Sequence, residues 1–142
     1  MGLTESLYKV SRLYPDKIGV ICGEDRFTYR EFAARVYQLA EALSKQGIAR
    51  GDRLAIIHQN CHYFLEAYYA AAVLGLILCP LNYRLSAREV AFILEDTGAK
   101  AIIAQPQFSQ LVQESLDKVE DNIDVFWTSK GAMQNMGSRL HS

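Results

Sequence analysis

Two histidines four residues apart have the clearest potential for chemistry in this chain. His58 and His62 flank Cys61, and two such side chains on one helix face can hold zinc. A metalloprotease pattern would need glutamate directly after the first histidine, where Gln59 stands. No third ligand is near in sequence, so we predict no metal site and no catalytic residue. We interpret both histidines as polar residues at a strand end that pack on a helix N-terminus, with zinc binding as the alternative.

The turn after Ile57 is the second candidate position, because open α/β sheets bind ligands where their strands end. A dinucleotide site would need glycines there, and neither G-x-G-x-x-G nor G-x-x-x-x-G-K-[ST] occurs in the chain. We therefore predict no nucleotide pocket built from this chain alone. Three tyrosines of the next helix could line a ligand cavity, but packing in the core is the interpretation we favour. They are Tyr63, Tyr68 and Tyr69.

A strand–helix–strand unit has to position these residues. The pattern predicts a strand over Leu54–Ile57, a helix over Cys61–Leu74 that ends at Gly75, and a strand over Leu76–Cys79 that Pro80 stops. Neither apolar run alternates with polar residues, so we expect both strands to be covered on two faces, as in parallel sheets. The helix carries seven large apolar or aromatic side chains, and we expect neighbours on several of its sides.

The remaining pattern extends this unit into an α/β fold with a mainly parallel sheet, flanked by helices and preceded by an N-terminal hairpin. Capping boxes at Thr28 and Ser86 begin two of the helices. In the first of these, Arg35 lies away from the apolar stripe. The other predicted elements are a helix over Thr4–Tyr14, hairpin strands over Ile18–Cys22 and Arg26–Thr28, strands over Ala101–Ala104 and Ile123–Trp127, and a helix between them. Residues 1–129 read as one subdomain and 130–142 as an irregular tail.

Composition narrows the class of protein. The chain has 142 residues, 50% of them hydrophobic and 22% charged, which is typical of one globular domain. A net charge of -1 argues against a nucleic-acid surface. The three cysteines show no metal spacing, and we interpret all three as free thiols in a reducing compartment. No secretory signal is visible, and the longest uncharged run, Ala67–Tyr83, is too short to span a membrane. We expect a cytoplasmic protein without a transmembrane segment.

Several motifs, in order and at the right spacing, resemble the N-terminal part of acyl-CoA synthetases in the adenylate-forming superfamily. The resemblance covers residues 4 to 128 and rests on the following segments: Tyr14–Lys17, Phe27–Phe32, Gly51–Ala55, Cys79–Ser86 and Leu94–Ile102. It implies a parent enzyme that uses ATP and Mg²⁺ to convert a carboxylic acid, fatty or aryl, to an acyl-adenylate. The acyl group then passes to the thiol of CoA.

The chain departs from the family pattern at the phosphate-binding loop. That Ser/Thr/Gly-rich loop ends in Pro-Lys-Gly, which is absent here, and the partial likeness over residues 128–131 lacks the glycine-rich core. The later adenine, ribose and lysine motifs are absent too. We therefore expect a truncated, inactive ligase portion that binds ATP, Mg²⁺ and CoA weakly at most.

Asn82 and Arg84 are the residues that the resemblance brings nearest to CoA, where a cation would suit a phosphate. The alternative for Arg84 is a solvated loop residue. For the whole chain, the alternative is a non-catalytic binding or regulatory module that pairs with a complete synthetase, a separate C-terminal chain or a second copy. A flavodoxin-like domain would need a phosphate-binding turn or an acidic cluster at its strand ends, and neither is visible.

Overall fold

The computed structural model describes residues 2–59, 61–128 and 133–135, without the side chains of Cys61 and of 133–135. The chain begins with helix α1 (Leu3–Leu13) and a hairpin of β1 (Ile18–Cys22) and β2 (Asp25–Thr28). The elements that follow are α2 (Tyr29–Lys45), β3 (Arg53–Ile57), α3 (Cys61–Leu74), β4 (Ile77–Pro80), α4 (Ala87–Thr97), β5 (Ala101–Ala104), α5 (Ser109–Asp117), β6 (Asp124–Thr128) and β7 (Met133–Asn135). A 3₁₀ turn over Pro106–Phe108 precedes α5.

The main sheet has the order β4-β3-β5-β6-β7. Strands β4, β3, β5 and β6 are parallel, and β1 and β2 form a separate antiparallel hairpin. The predicted α/β class, mainly parallel sheet and N-terminal hairpin are confirmed. β7 pairs antiparallel with β6, with Thr128 opposite Met133. Residues 133–135 thus form a strand inside the stretch predicted to be irregular, while 130–132 and 136–142 lie outside the described residues.

The sheet separates two apolar layers, because alternate side chains of each strand point to opposite faces. Leu54, Ile56 and Phe126 face α1, α2 and α3. Ile57 and Ile102 face α4 and α5. Strands β3 and β5 are buried on both faces, as their unbroken apolar runs predict.

Strand β4 is more exposed than predicted. Ile77 is 55% exposed, and Pro80 at the other end of the strand is exposed as well. Among the described residues, β4 pairs with β3 alone, so it is an edge strand. Proline is tolerated in such a strand because its missing N–H can face away from the ladder. The expectation that both strands of the unit are covered on two faces holds for β3 and is wrong for β4.

Helix α3 is packed on some sides and open on another. Ala67 and Ala70 are fully buried, and Tyr63 is nearly so. Leu65 and Tyr68 are 40% and 48% exposed, so the interpretation that Tyr68 packs in the core is wrong. Small alanines let α3 approach its neighbours closely, and the bulkier side chains of the other face remain at the surface.

Both predicted capping boxes are present. Thr28 Oγ1 accepts a hydrogen bond from the Glu31 amide at 3.1 Å, and Glu31 Oε1 accepts one from the Thr28 amide at 2.8 Å. Ser86 and Glu89 repeat this exchange at 3.2 and 3.0 Å. The hydrogen bond from the Thr28 or Ser86 amide lowers the pKa of each glutamate carboxyl below its ordinary value. The boxes fix where α2 and α4 begin.

Arg53 connects β3 to the end of α4. Its Nε donates to the Thr97 carbonyl at 2.6 Å, and Nη2 donates to the Gly98 carbonyl at 3.3 Å. Gly98 follows α4 in the left-handed conformation, φ 66°. The guanidinium therefore satisfies carbonyls that the helix end leaves without intrahelical partners, and its charge suits the negative end of the helix dipole.

The cysteines differ from the prediction. Cys22 is disulfide-bonded, whereas Cys79 is a free thiol. The side chain of Cys61 is not among those described. The interpretation of three free thiols is therefore corrected at Cys22, because spacing in sequence does not reveal which side chains the fold brings together.

No helix within the described part of the chain is both long enough and apolar enough to cross a bilayer.

Candidate functional site at the carboxyl edge of the sheet

Polar side chains collect where the parallel strands end. His58 and Gln59 follow β3, Gln105 follows β5, and Thr128 is the last residue of β6. Parallel strands present their carboxyl ends at one edge of the sheet, so these residues converge although up to 70 positions separate them in sequence. This edge is the candidate functional site.

A buried hydrogen bond joins His58 to Thr128. His58 Nε2 lies 2.8 Å from Thr128 Oγ1, and each residue is 4% exposed. Because β5 lies between β3 and β6 in the sheet, this bond reaches across the end of an intervening strand. Burial lowers the pKa of His58 to about 4, and the nearby His62 contributes to the shift. His58 is therefore a neutral imidazole at neutral pH.

Ring contacts connect His58 to the β1–β2 hairpin through Tyr63, His62 and Phe27. The ring of Tyr63 lies 4.7 Å from that of His58 and 4.1 Å from that of His62, centroid to centroid. His62 also contacts the ring of Phe27 at 5.0 Å, and its Nε2 is 3.4 Å from Asp25 Oδ2. Burial raises the pKa of the Tyr63 phenol. The two histidines thus both contact one tyrosine ring, and His62 extends the cluster to the exposed Asp25.

A buried ion pair between Arg35 and Glu66 lies next to this series. The Arg35 Nε–H donates to Glu66 Oε1, and Nη2 lies 3.4 Å from Oε2. The side chains are 15% and 2% exposed. Burial alone would lower the pKa of the Arg35 guanidinium, but the hydrogen bond and the charge of Glu66 outweigh it, and that pKa is raised. His62 Nδ1 lies 3.5 Å from Glu66 Oε1, which brings the carboxylate into the same cluster.

Arg35 corrects an expectation from the sequence. The sequence pattern places it away from the apolar stripe of α2, on the side opposite the core, but its guanidinium covers the rings of Phe27 and Tyr63 at 5.0 and 5.6 Å. Sequence reasoning also passed over Glu66. The available signal was a single carboxylate within an otherwise uncharged helix, Cys61–Leu74, because a buried acid requires a cationic partner.

Three glutamines form a closed ring of hydrogen bonds at the ends of β3 and β5, through their side chains and the backbone N–H of Gln59. Gln105 Oε1 accepts from the backbone N–H of Gln59 at 2.9 Å, and Gln105 Nε2 donates to Gln107 Oε1 at 3.0 Å. Gln107 Nε2 donates to Gln59 Oε1 at 2.8 Å and closes the ring. The ring lies where the strand order reverses, between β3 and β5, which is where ligands of open α/β sheets bind. The sequence analysis did not find it.

The Asn82–Arg84 loop follows β4 at the same edge. Asn82 Oδ1 accepts from the Arg84 amide at 2.9 Å, and both side chains are exposed. The Arg84 guanidinium lies 5.4 Å from the ring centre of Tyr83, which stacks on Phe108 at 5.0 Å. The aromatic pair holds the loop against the turn before α5.

The described residues contain no group of three or more His, Cys, Asp or Glu side chains placed to hold a metal ion. His58 and His62 instead each contact the ring of Tyr63, and His58 bonds to Thr128. In the described part of the chain, the edge thus offers hydrogen bonds, aromatic surface and one exposed cation.

Comparison with known proteins identifies the family, which the geometry of the site alone does not. Residues 7–138 match the family described as AMP-binding enzyme. The chain belongs to this family. The match covers the hairpin, the parallel sheet and every candidate residue above. The predicted resemblance to the adenylate-forming superfamily is confirmed.

Three similar proteins show how the chain relates to larger AMP-binding enzymes. 4-hydroxybutyrate–CoA ligase 2 of Metallosphaera sedula is 30% identical over 117 residues, which are 82% of this chain and 21% of the relative. Long-chain-fatty-acid–CoA ligase FadD13 of Mycobacterium tuberculosis is 44% identical over 78 residues, 55% of this chain and 16% of that enzyme. A solved structure titled as a long-chain-fatty-acid CoA ligase of Rhodopseudomonas palustris superposes with a TM-score of 0.83 at 31% identity, covering 92% of this chain and 33% of that one. The chain spans about a fifth of the first relative's length.

Proposed function

We propose that this chain is the N-terminal subdomain of a carboxylic acid–CoA ligase that works through an acyl-adenylate. The observation that carries the proposal is the family match over residues 7–138, together with relatives that are CoA ligases. The acid is fatty or aryl in this proposal, and the protein is cytoplasmic. Residues 1–129 form the subdomain in this proposal, and residues 133–135 add a strand to its sheet.

The chemistry of such a ligase defines what this part contributes. Attack of a carboxylate on a phosphate needs both reactants aligned and their negative charges offset. ATP and Mg²⁺ would supply the activation, but the described residues lack both a glycine-rich phosphate loop and a cluster of oxygen ligands suited to Mg²⁺. We therefore assign no step of adenylation to these residues. Their role is to form one wall of the site and to hold the carboxyl edge in place.

Turnover by the chain alone is the direct test. We expect no ATP–pyrophosphate exchange when the purified 142-residue chain meets ATP, Mg²⁺ and a panel of fatty and aryl acids, because the phosphate loop is missing from its sequence. 4-hydroxybutyrate–CoA ligase 2 with its acid is the positive control. In a chimera of that ligase, this chain replaces the matching stretch, and we expect exchange to persist. Exchange by the isolated chain, or a folded but inactive chimera, would count against the proposal.

We propose that Arg84 binds a phosphate of CoA and that Asn82 fixes the conformation of its loop. Support comes from its exposed charge at the carboxyl edge and from the stacked Tyr83 and Phe108 beneath it. In the active chimera, we expect Arg84→Ala to raise the KM for CoA about tenfold, the loss of one charge-assisted hydrogen bond. Pyrophosphate exchange, which needs no CoA, should stay constant. Arg88→Ala, an exposed arginine in α4, is the matched control and should change neither quantity. A fall in exchange equal to the rise in KM would refute the assignment.

A second candidate is a non-catalytic module that pairs with another chain. The edge strand β4 favours it, because exposed Ile77 and an open strand edge are features that partners cover. Light scattering distinguishes the two, since this candidate requires a stable dimer or a stable complex with a ligase. The first proposal would be favoured if the chain stays monomeric at high concentration and if pyrophosphate exchange is seen only in the chimera.

A further inference from the structure

An apolar cleft lies away from the carboxyl edge, between α1, β1, the start of α2 and α3. Its volume is about 260 Å³. Its apolar and aromatic lining includes Leu7, Val10, Tyr29, Phe32, Leu65 and Tyr69. The proposed ligase chemistry assigns no step to it, although Tyr29 and Phe32 belong to the Phe27–Phe32 motif and Tyr69 is one of the tyrosines considered for a ligand cavity.

The cleft is formed by well-packed walls. Leu7 and Phe32 are each 3% exposed, and Phe32 meets the edge of the Tyr69 ring at 5.5 Å. Gly19 lets the Tyr29 ring lie directly on β1, since a Cβ there would come within 2.5 Å of ring carbons Cδ1 and Cε1. Close-packed walls keep their shape, so a ligand would find the space already formed.

The lining defines the chemistry of a ligand. Three aromatic rings contribute to it, and rings prefer to contact another ring by edge or offset stacking. None of the lining residues is charged, so an ionised ligand would lose its hydration without compensation. An apolar cavity of about 150 Å³ is enough to hold benzene.

We propose that this cleft binds a small, neutral, monocyclic aromatic molecule with one hydroxyl group. Three of the lining residues, Ser6, Tyr29 and Tyr69, carry a hydroxyl group, and this is the basis for a hydroxyl on the ligand. This site is independent of the proposed ligase function, whose substrate acids are ionised at neutral pH.

Phenol titrated into the isotope-labelled 142-residue chain tests the site. We expect saturable shifts of the methyl signals of Leu7, Val10 and Leu65, with a Kd on the order of millimolar for the burial of one ring. The methyls of Leu116 and Val119, on the other face of the sheet, should not move. Benzoate at pH 7 has the same ring with a charge, and we expect it not to bind.

Two variants on α3 make a matched pair. Leu65→Trp places bulk in the lining and should weaken phenol binding at least tenfold. Tyr68→Trp adds a similar ring to a neighbouring position outside the lining and should leave the Kd unchanged. Both residues are well exposed, 40% and 48%, so both variants should fold. Shifts that do not saturate, equal binding by both variants, or equal binding of benzoate would overturn the proposal. So would a dimer whose interface covers these methyls.

Discussion

Replacing Glu66 with alanine is expected to lower the free energy of unfolding by about 3–5 kcal/mol, the usual cost of removing one partner from a buried ion pair. The Arg35 guanidinium, 15% exposed, would stay in contact with Phe27 and Tyr63 but would lose the Glu66 carboxylate that offsets its charge. Arg35→Ala should cost a similar amount, because Glu66 is 2% exposed and would be left as a buried anion. Urea denaturation, followed by the fluorescence of the single tryptophan, Trp127, measures both losses.

An exposed ion pair on α2 is the control for charge alone. Lys45 Nζ and Glu41 Oε1 are 3.1 Å apart, with side chains 72% and 66% exposed. Glu41→Ala should change stability by less than about 1 kcal/mol, because water screens such pairs.

The double variant Arg35→Met/Glu66→Leu distinguishes two contributions to stability: the ion pair itself, and the cost of leaving one buried charge without its partner. It should recover most of the stability lost in either single variant, since apolar replacements can substitute for a buried pair. Single losses as small as that of Glu41→Ala would show that water reaches the pair. A double variant no better than the singles would show that the pair itself holds α2 against α3.

The elements of the fold were predictable because local chemistry specifies them. Apolar runs bounded by turn residues placed β3, β5 and α3 within one or two residues of their observed bounds. The two Ser/Thr–x–x–Glu patterns located the starts of α2 and α4, since each box satisfies backbone groups of its own turn. The parallel arrangement followed from the alternation of strand and helix. All of these signals act over a few neighbouring residues.

Exposure and side-chain partners were less predictable, because they depend on residues far apart in sequence. The apolar runs of β3 and β4 look alike, but β4 forms an edge, so only β3 is buried on both faces. Residues 133–135 join the sheet through pairing with β6, whereas their own sequence shows no strand period. Pairing decides both cases, and pairing is a property of the folded sheet.

The candidate site shows the same limit. The position of polar residues after Ile57 indicated the carboxyl edge, but not what they contact. Long-range hydrogen bonds decide those contacts. Gln59 bonds to Gln105 and Gln107, 46 and 48 positions away, and His58 bonds to Thr128, 70 positions away. Histidine spacing suggested zinc because that motif assumes two side chains on one helix face. His58 lies before the helix, where it contacts the ring of Tyr63 and bonds to Thr128.

Acidification should destabilise the protein through His58. Its pKa is about 4 in the folded chain and 6.5 in the ordinary, solvated state, so the unfolded chain binds a proton that the folded chain does not. Stability from this residue is therefore complete above pH 6.5 and falls as the pH decreases toward 4. At about 1.4 kcal/mol per pH unit, the loss between pH 7 and pH 5 is about 2 kcal/mol.

His58→Gln isolates this contribution, because glutamine does not titrate and keeps an amide that can bond to Thr128. Stability measured by urea denaturation at pH 7, 6 and 5 should fall by about 2 kcal/mol less in the variant than in the parent protein. The capping glutamates Glu31 and Glu89, with pKa values below the ordinary 4.5, titrate mainly at lower pH and are present in both proteins. His62 and Asp25, which face the same cluster, are likewise unchanged. Equal slopes for the two proteins between pH 7 and pH 5 would mean that His58 accepts its proton in the folded state, and that burial does not keep it neutral.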